Sequence, residues 1–129
     1  MAQVGSIGER LDLLCRQGAN LGPFICTLQN PDLSFVDLTG CTIQGYVRKN
    51  ALDAGQPVAT FSIVYIDRLA GKFSFEINWS VTETIPAGEY QKDPASQYVW
   101  DMELVDSTGR VTPLYYGKFE NFREVSRVP

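Results

Sequence analysis

A chain of 129 residues is the size of one domain and can bury roughly two thirds of the surface its unfolded form exposes, so it needs no metal or disulfide to fold. Hydrophobic residues are 44% and charged residues 20% of the chain, and its net charge of −4 works against nonspecific attraction to phosphate backbones or anionic lipid. Nucleic acid is excluded as an expected partner, and no apolar run approaches the ~18 residues of a membrane span.

The opening segment, MAQVGSIGER, lacks the basic and apolar regions of a signal peptide, which predicts a soluble, unexported chain. It carries Gly5 and Gly8 and too few alternating apolar residues to hold itself on a sheet. Residues 1–10 are therefore expected to form an N-terminal arm, and residues 11–129 a single domain.

From there alternation dominates. RLDLLCR places Leu11, Leu13 and Cys15 on one face, and FICTL does the same for Phe24, Cys26 and Leu28. The turn QNPDLS follows, and then VDLTG. There Asp37 can accept a hydrogen bond from the N–H two residues on, Gly40 can take a left-handed conformation, and Leu38 and Ile43 can anchor the turn to the core. TIQGYVRK is the next strand, with Ile43 and Val47 inward, and its Gly45 predicts a bulge or a close approach beneath an aromatic ring. After DAGQP around Gly55 comes VATFSIVYI, and after LAGK around Gly71 comes KFSFEINW. Phe73, Phe75, Ile77 and Trp79 point one way in that run and Lys72, Ser74, Glu76 and Asn78 the other. SVTETIP offers a single helical turn starting at Ser80 or Thr82, closed by Pro86. IPAGEY turns at Gly88, YVWDMELV is a strand, DSTGR turns at Gly109, and PLYYGKF closes the pattern. About seven short strands with turns roughly ten residues apart predict an all-β, antiparallel sandwich.

The chemistry available to this chain is narrow. It has no histidine, which removes the commonest general base, the serine and cysteine triads that use it, and most catalytic zinc sites. No carboxylate run has calcium-loop spacing, no glycine-rich stretch forms a phosphate cradle, and no cofactor or metal is expected. Asp101 and Glu103 share a strand face at i and i+2, about 7 Å apart, close enough for a carboxylate pair. The simpler reading is two solvated charges opposite Trp100 and Met102. Trp79 and Trp100 both fall on inward faces, which predicts core packing, while adjacent Tyr115 and Tyr116 must face opposite ways. Cys15, Cys26 and Cys41 are an odd set without a Cys-x-x-Cys pair, read as buried and reduced, with one disulfide the rival reading.

Three stretches in order, VDLTGCTIQGYVRK, GKFSFEINWSVTETIPAGEY and YVWDMELVDSTGRVTPLYYGKFEN, resemble a family of small bacteriophage tail proteins. That family includes the N-terminal immunoglobulin-like module of siphophage upper baseplate proteins. The similarity runs from about Leu11 to Val125. Position by position, Asp37, Leu38, Thr39 and Gly40 match its turn, Arg48 a strand end, and Thr84, Pro86, Gly88 and Tyr90 a corner. Tyr98, Asp101 and Glu103 match its hairpin, with Gly109 the turn and Gly117 in the closing strand.

The resemblance implies an immunoglobulin-like sandwich of about seven to eight strands that serves as a non-catalytic structural part of a virion tail or baseplate, assembled in the host cytoplasm. Its partners would be other tail proteins and further copies of itself in a ring or repeated assembly. QKDPAS, residues Gln91, Lys92, Asp93, Pro94, Ala95 and Ser96, departs from the family's length as a lengthened loop. It joins Met1, Ala2, Gln3, Val4, Gly5, Ser6, Ile7 and Gly8 as the expected assembly contacts, mobile in the isolated domain and ordered in the particle. The alternatives are a carbohydrate-binding or host-adhesion module of the particle, which an exposed aromatic platform would favour, and a hydrolase using two carboxylates, which needs a cleft.

Overall fold

In a computed structural model of the chain, which describes residues 2–3, 8–50, 56–86 and 96–122, nearly every alternating run is a strand. In chain order these are β1 (Ala2–Gln3), β2 (Glu9–Arg10), β3 (Leu13–Arg16), β4 (Leu21–Gln29), β5 (Thr42–Arg48), β6 (Ala59–Thr60), β7 (Ser62–Asp67) and β8 (Lys72–Ile77). A single helical turn, α1 (Trp79–Thr82), precedes β9 (Ser96–Val105) and β10 (Val111–Phe122). The run VATFSIVYI is divided at Phe61, whose N–H bonds to the Gly45 carbonyl at 2.9 Å.

The strands form two sheets, β1-β4-β8-β7 and β2-β10-β9-β5-β6, with β3 continuing the β2 edge along β10. The central pairings, β4 with β8, β8 with β7, β10 with β9 and β9 with β5, are all antiparallel. The order β4-β8-β7 facing β10-β9-β5-β6 is that of an immunoglobulin-like sandwich. The E–F corner of that fold is present too. Tyr98, near the start of β9, donates its hydroxyl to the Pro86 carbonyl at 2.7 Å. Trp100, two residues on, stands where antibody domains carry their second core cysteine.

Between the sheets lies one aromatic centre. Phe75 is fully buried and has Trp100 at 5.8 Å, Phe61 at 5.4 Å, Phe24 at 5.2 Å and Tyr115 at 6.3 Å between ring centroids. The indole Nε1 of Trp100 donates to the Leu11 carbonyl at 2.7 Å, satisfying the one polar atom of that ring. Gly45 fulfils the expected close approach without a bulge, because β5 and β9 keep an unbroken register there. A Cβ at Gly45 would stand 2.9 Å from Met102 Cε and 3.0 Å from Phe61 Cδ2. Gly117 is more tightly placed still, since a Cβ there would collide with the Leu11 carbonyl. Cys15, Cys26 and Cys41 are free, Cys15 is buried, and burial pushes its thiol up to about 11.

Three expectations change. Trp79 is not in the core: β8 ends at Ile77, Asn78 caps α1, and the Trp79 side chain is 47% exposed. The helical turn accordingly begins before Ser80. Leu11 is 38% exposed and lies outside β3, whose inward residues are Leu13 and Cys15. The described part of the N-terminal arm is held on both sheets, with Ala2–Gln3 parallel to β4 at Leu28 and Gln29 and Glu9–Arg10 parallel to β10 at Tyr115 and Tyr116. Backbone groups that would otherwise meet water hold the arm there, and they need no alternating side chains. Met1, Val4, Gly5, Ser6, Ile7, Gly88, Tyr90 and Gln91–Ala95 lie outside the described residues, as does the turn at Gly55.

Candidate functional site

Gly117 apart, the described positions that resemble the tail-family motifs fall into three groups. Asp37, Leu38, Thr39 and Gly40 lie in the β4–β5 connection, which meets the β7–β8 and β9–β10 turns at one end of the sandwich. Asp37 Oδ1 accepts the Thr39 N–H at 2.9 Å, Gly40 has φ +75°, and Leu38 is fully buried. Arg68, from the β7–β8 turn, donates to the carbonyls of Leu38 and Cys41, each at 3.0 Å, and its guanidinium lies 3.8 Å from the Tyr65 ring centroid. The Tyr65 hydroxyl accepts the Ile43 N–H at 2.8 Å, so β7 fastens the start of β5. Gly109 has φ +86° in the β9–β10 turn, where a Cβ on Gly40 would reach 3.5 Å from Ser107. Leu33, Phe35 and Leu69 are exposed in the two apolar connections of this end.

The second group lies on the outer face of the larger sheet. Register places Tyr46 opposite Asp101 and Asp101 opposite Tyr116 across β5, β9 and β10. Arg48 stands 5.2 Å from the Tyr46 ring centroid, and the Tyr46 hydroxyl donates to Gln44 Oε1 at 2.9 Å. Burial raises the Asp101 carboxyl above its ordinary value, and the Arg48 charge opposes that shift. Tyr115 is buried and Tyr116 is 40% exposed, as adjacency on a strand requires. Glu103 shares the face with Asp101 across from the buried Trp100 and Met102. The pair therefore lies on a sheet surface, and no group of three or more Cys, Asp or Glu among the described residues is arranged to hold a metal ion.

Pro86 and Tyr98 sit at the opposite end with α1. Thr82 Oγ1 donates to the Ala19 carbonyl at 2.8 Å and accepts the Gly18 N–H at 3.1 Å. Buried Asn121 donates to the Ile85 carbonyl at 2.9 Å. This end is a hydrogen-bonded lock between the β3–β4 turn, α1 and β10, and Trp79 stands on its surface.

The sequence reading missed the outer face of the smaller sheet. Ile25 on β4 and Val64 on β7 flank Ser74 on β8 in one row, and they are 65% and 54% exposed. Ile66 adds to the same patch at 46%. The signal was present in FICTL and SIVYI, where apolar residues occupy both phases of the alternation instead of one. No protein-family model and no curated protein matches this chain.

Proposed function

We propose that this protein is a structural subunit of a bacteriophage tail, at the baseplate or another tail-end assembly, working through contact with copies of itself and neighbouring tail proteins. The observation that supports this reading is the exposed pair Ile25 and Val64 on either side of Ser74, with Ile66 beside them, on the outer face of one sheet. Contiguous apolar surface on a sheet marks an interaction face more often than a catalytic one. The resemblance of the ordered motifs to those of the tail family supports the setting, and the contacts assigned to Met1–Gly8 and Gln91–Ser96 belong to the same proposal. Mass spectrometry of purified particles is the test. The protein is expected at fixed stoichiometry in tails, and particles lacking its gene are expected to be tail-defective. Complete, infectious particles without it would overturn the reading.

A second reading is a carbohydrate-binding or host-adhesion module of the particle. The exposure of Trp79 favours it, because an indole face can stack on a sugar ring. Sugar binding in a glycan screen that disappears in Trp79→Ala would establish it.

A further inference from the structure

We propose that the outer face of the smaller sheet pairs with the same face of a second copy of this chain about a two-fold axis that runs across the strands over Ser74. The inference rests on the assembly reading above and names the partner for one of its surfaces.

The argument begins on β8, the strand between β4 and β7. Its outward residues are Lys72, Ser74 and Glu76, alternating with the buried Phe73, Phe75 and Ile77. Lys72 and Glu76 lie about 7 Å to either side of Ser74 at strand spacing. Ser74 is the smallest of the three and only 8% exposed, because Ile25 and Val64 stand in register on its two sides, about 5 Å away on the neighbouring strands. The face is thus a row of Ile25, Ser74 and Val64 across three strands, with Lys72 on one side of the row, Asp67 beside it on β7, and Glu76 on the other side. The only ion pair among the described residues is Arg10 with Asp12, so neither Lys72 nor Glu76 has an ionic partner there.

An isologous interface must be complementary to itself. Rotation about an axis lying across the strands above Ser74 reverses the strand direction and keeps each strand over its own copy. Ile25 then meets Ile25, Ser74 meets Ser74 and Val64 meets Val64, while Lys72 of each copy meets Glu76 of the other, giving two ion pairs. Asp67, in register with Lys72 on β7, comes over Ser62, so no like charges are opposed. Rotation about an axis along the strands instead sets Lys72 on Lys72 and Glu76 on Glu76. Charge therefore selects one of the two orientations, and the small Ser74 lets the sheets approach at the row where the flanking side chains are apolar.

Sedimentation equilibrium and light scattering on the purified full chain test this. The wild-type protein is expected to dimerise reversibly. Lys72→Glu alone and Glu76→Lys alone are each expected to weaken dimerisation by about tenfold or more, since each opposes like charges twice. An equimolar mixture of the two variants is expected to form a heterodimer, and the double variant K72E/E76K is expected to recover the homodimer. Ile25→Asp, at an exposed position, is expected to abolish pairing with the melting temperature held near the wild-type value. A wild-type monomer at every concentration, a dimer indifferent to these charges, or a mixture without rescue would each overturn the proposal. Incorporation into particles is scored separately. A monomer that still enters tails rejects the two-fold pair and keeps the assembly reading, whereas a charge-dependent dimer absent from tails does the reverse.

Discussion

One local device recurs four times among the described residues. In Asp32-Leu33-Ser34, Asp37-Leu38-Thr39, Asn78-Trp79-Ser80 and Asp106-Ser107-Thr108, the first side chain accepts the N–H of the third residue at 2.9 to 3.0 Å. Each bond closes the backbone over two residues and stops or turns the chain there. Single residues also show where a glycine is required by the space around it. Gly117 leaves room for the Leu11 carbonyl, and that carbonyl in turn accepts the Trp100 indole N–H. Trp100 is 2% exposed and also stacks on Tyr115 at 6.2 Å between centroids. Trp100→Ala is expected to destabilise the fold by about 3–5 kcal/mol, the range for deleting a large buried aromatic. Trp100→Phe should cost less, keeping ring contacts while losing the bond to Leu11. Denaturant unfolding of the three proteins gives the comparison, and an alanine variant within ~1 kcal/mol of wild type would show that the indole does not organise the centre.

At the scale of elements, α1 is the place where a short side-chain bond overrides periodicity. Asn78 accepts the Ser80 N–H at 3.0 Å, and Asn20 accepts the Trp79 N–H at 2.7 Å from the β3–β4 turn. Two of the helical turn's first N–H groups are thereby satisfied by side chains. Asn78→Ala is expected to lower stability by about 1 kcal/mol, and Asn78→Asp, which retains an acceptor, by less. Equal losses in thermal melts of both would mean the cap does not hold the turn. The same element shows what could be read in advance. Period two identified β8 through Ile77, because burial on one sheet face imposes it. It says nothing of where the strand ends, and extended by two residues it predicts a buried Trp79. The pattern Asn-x-Ser is present in the sequence, as is its equivalent at Asp37, where the predicted turn forms. The edge pairing of residues 2–3 and 9–10 was not legible, since backbone hydrogen bonds leave no side-chain signature. The Ile25 and Val64 row was legible only as apolar residues in the wrong phase, and register alone shows that they share a row with Ser74.

For the whole molecule, the placement of aspartates sets the response to acid. Hydrogen bonds from Ser34, Thr39 and Thr108 hold the carboxyls of Asp32, Asp37 and Asp106 below the ordinary aspartate value of 3.8, and the Lys118 N–H does the same for Asp12 at the edge of the other sheet. A carboxyl with a depressed folded value contributes stability above 3.8 that is lost as pH falls through the folded value. Asp101 acts in the opposite sense, because burial raises it and its contribution is lost as pH rises. Among the described residues, four groups against one predict a melting temperature that falls as pH drops toward and below 3.8. Three of the four lie in the β4–β5 connection and the β9–β10 turn, and the Asp106 and Asp37 charges both reach the Cys41 thiol, whose value burial raises first. Acid should therefore loosen that end of the sandwich before the end locked by Thr82, Tyr98 and Asn121, where the bonds join uncharged groups. Hydrogen exchange between about pH 5 and pH 3 is expected to lose protection first around Leu38 and Ile43, with Trp100 and Phe119 amides following. The variant D32N/D37N/D106N keeps an acceptor at each turn and removes three titrating groups, so its acid decline should be much shallower than the wild type's. A decline of unchanged steepness in that variant, or simultaneous loss of protection at both ends, would show that the turns do not control acid stability.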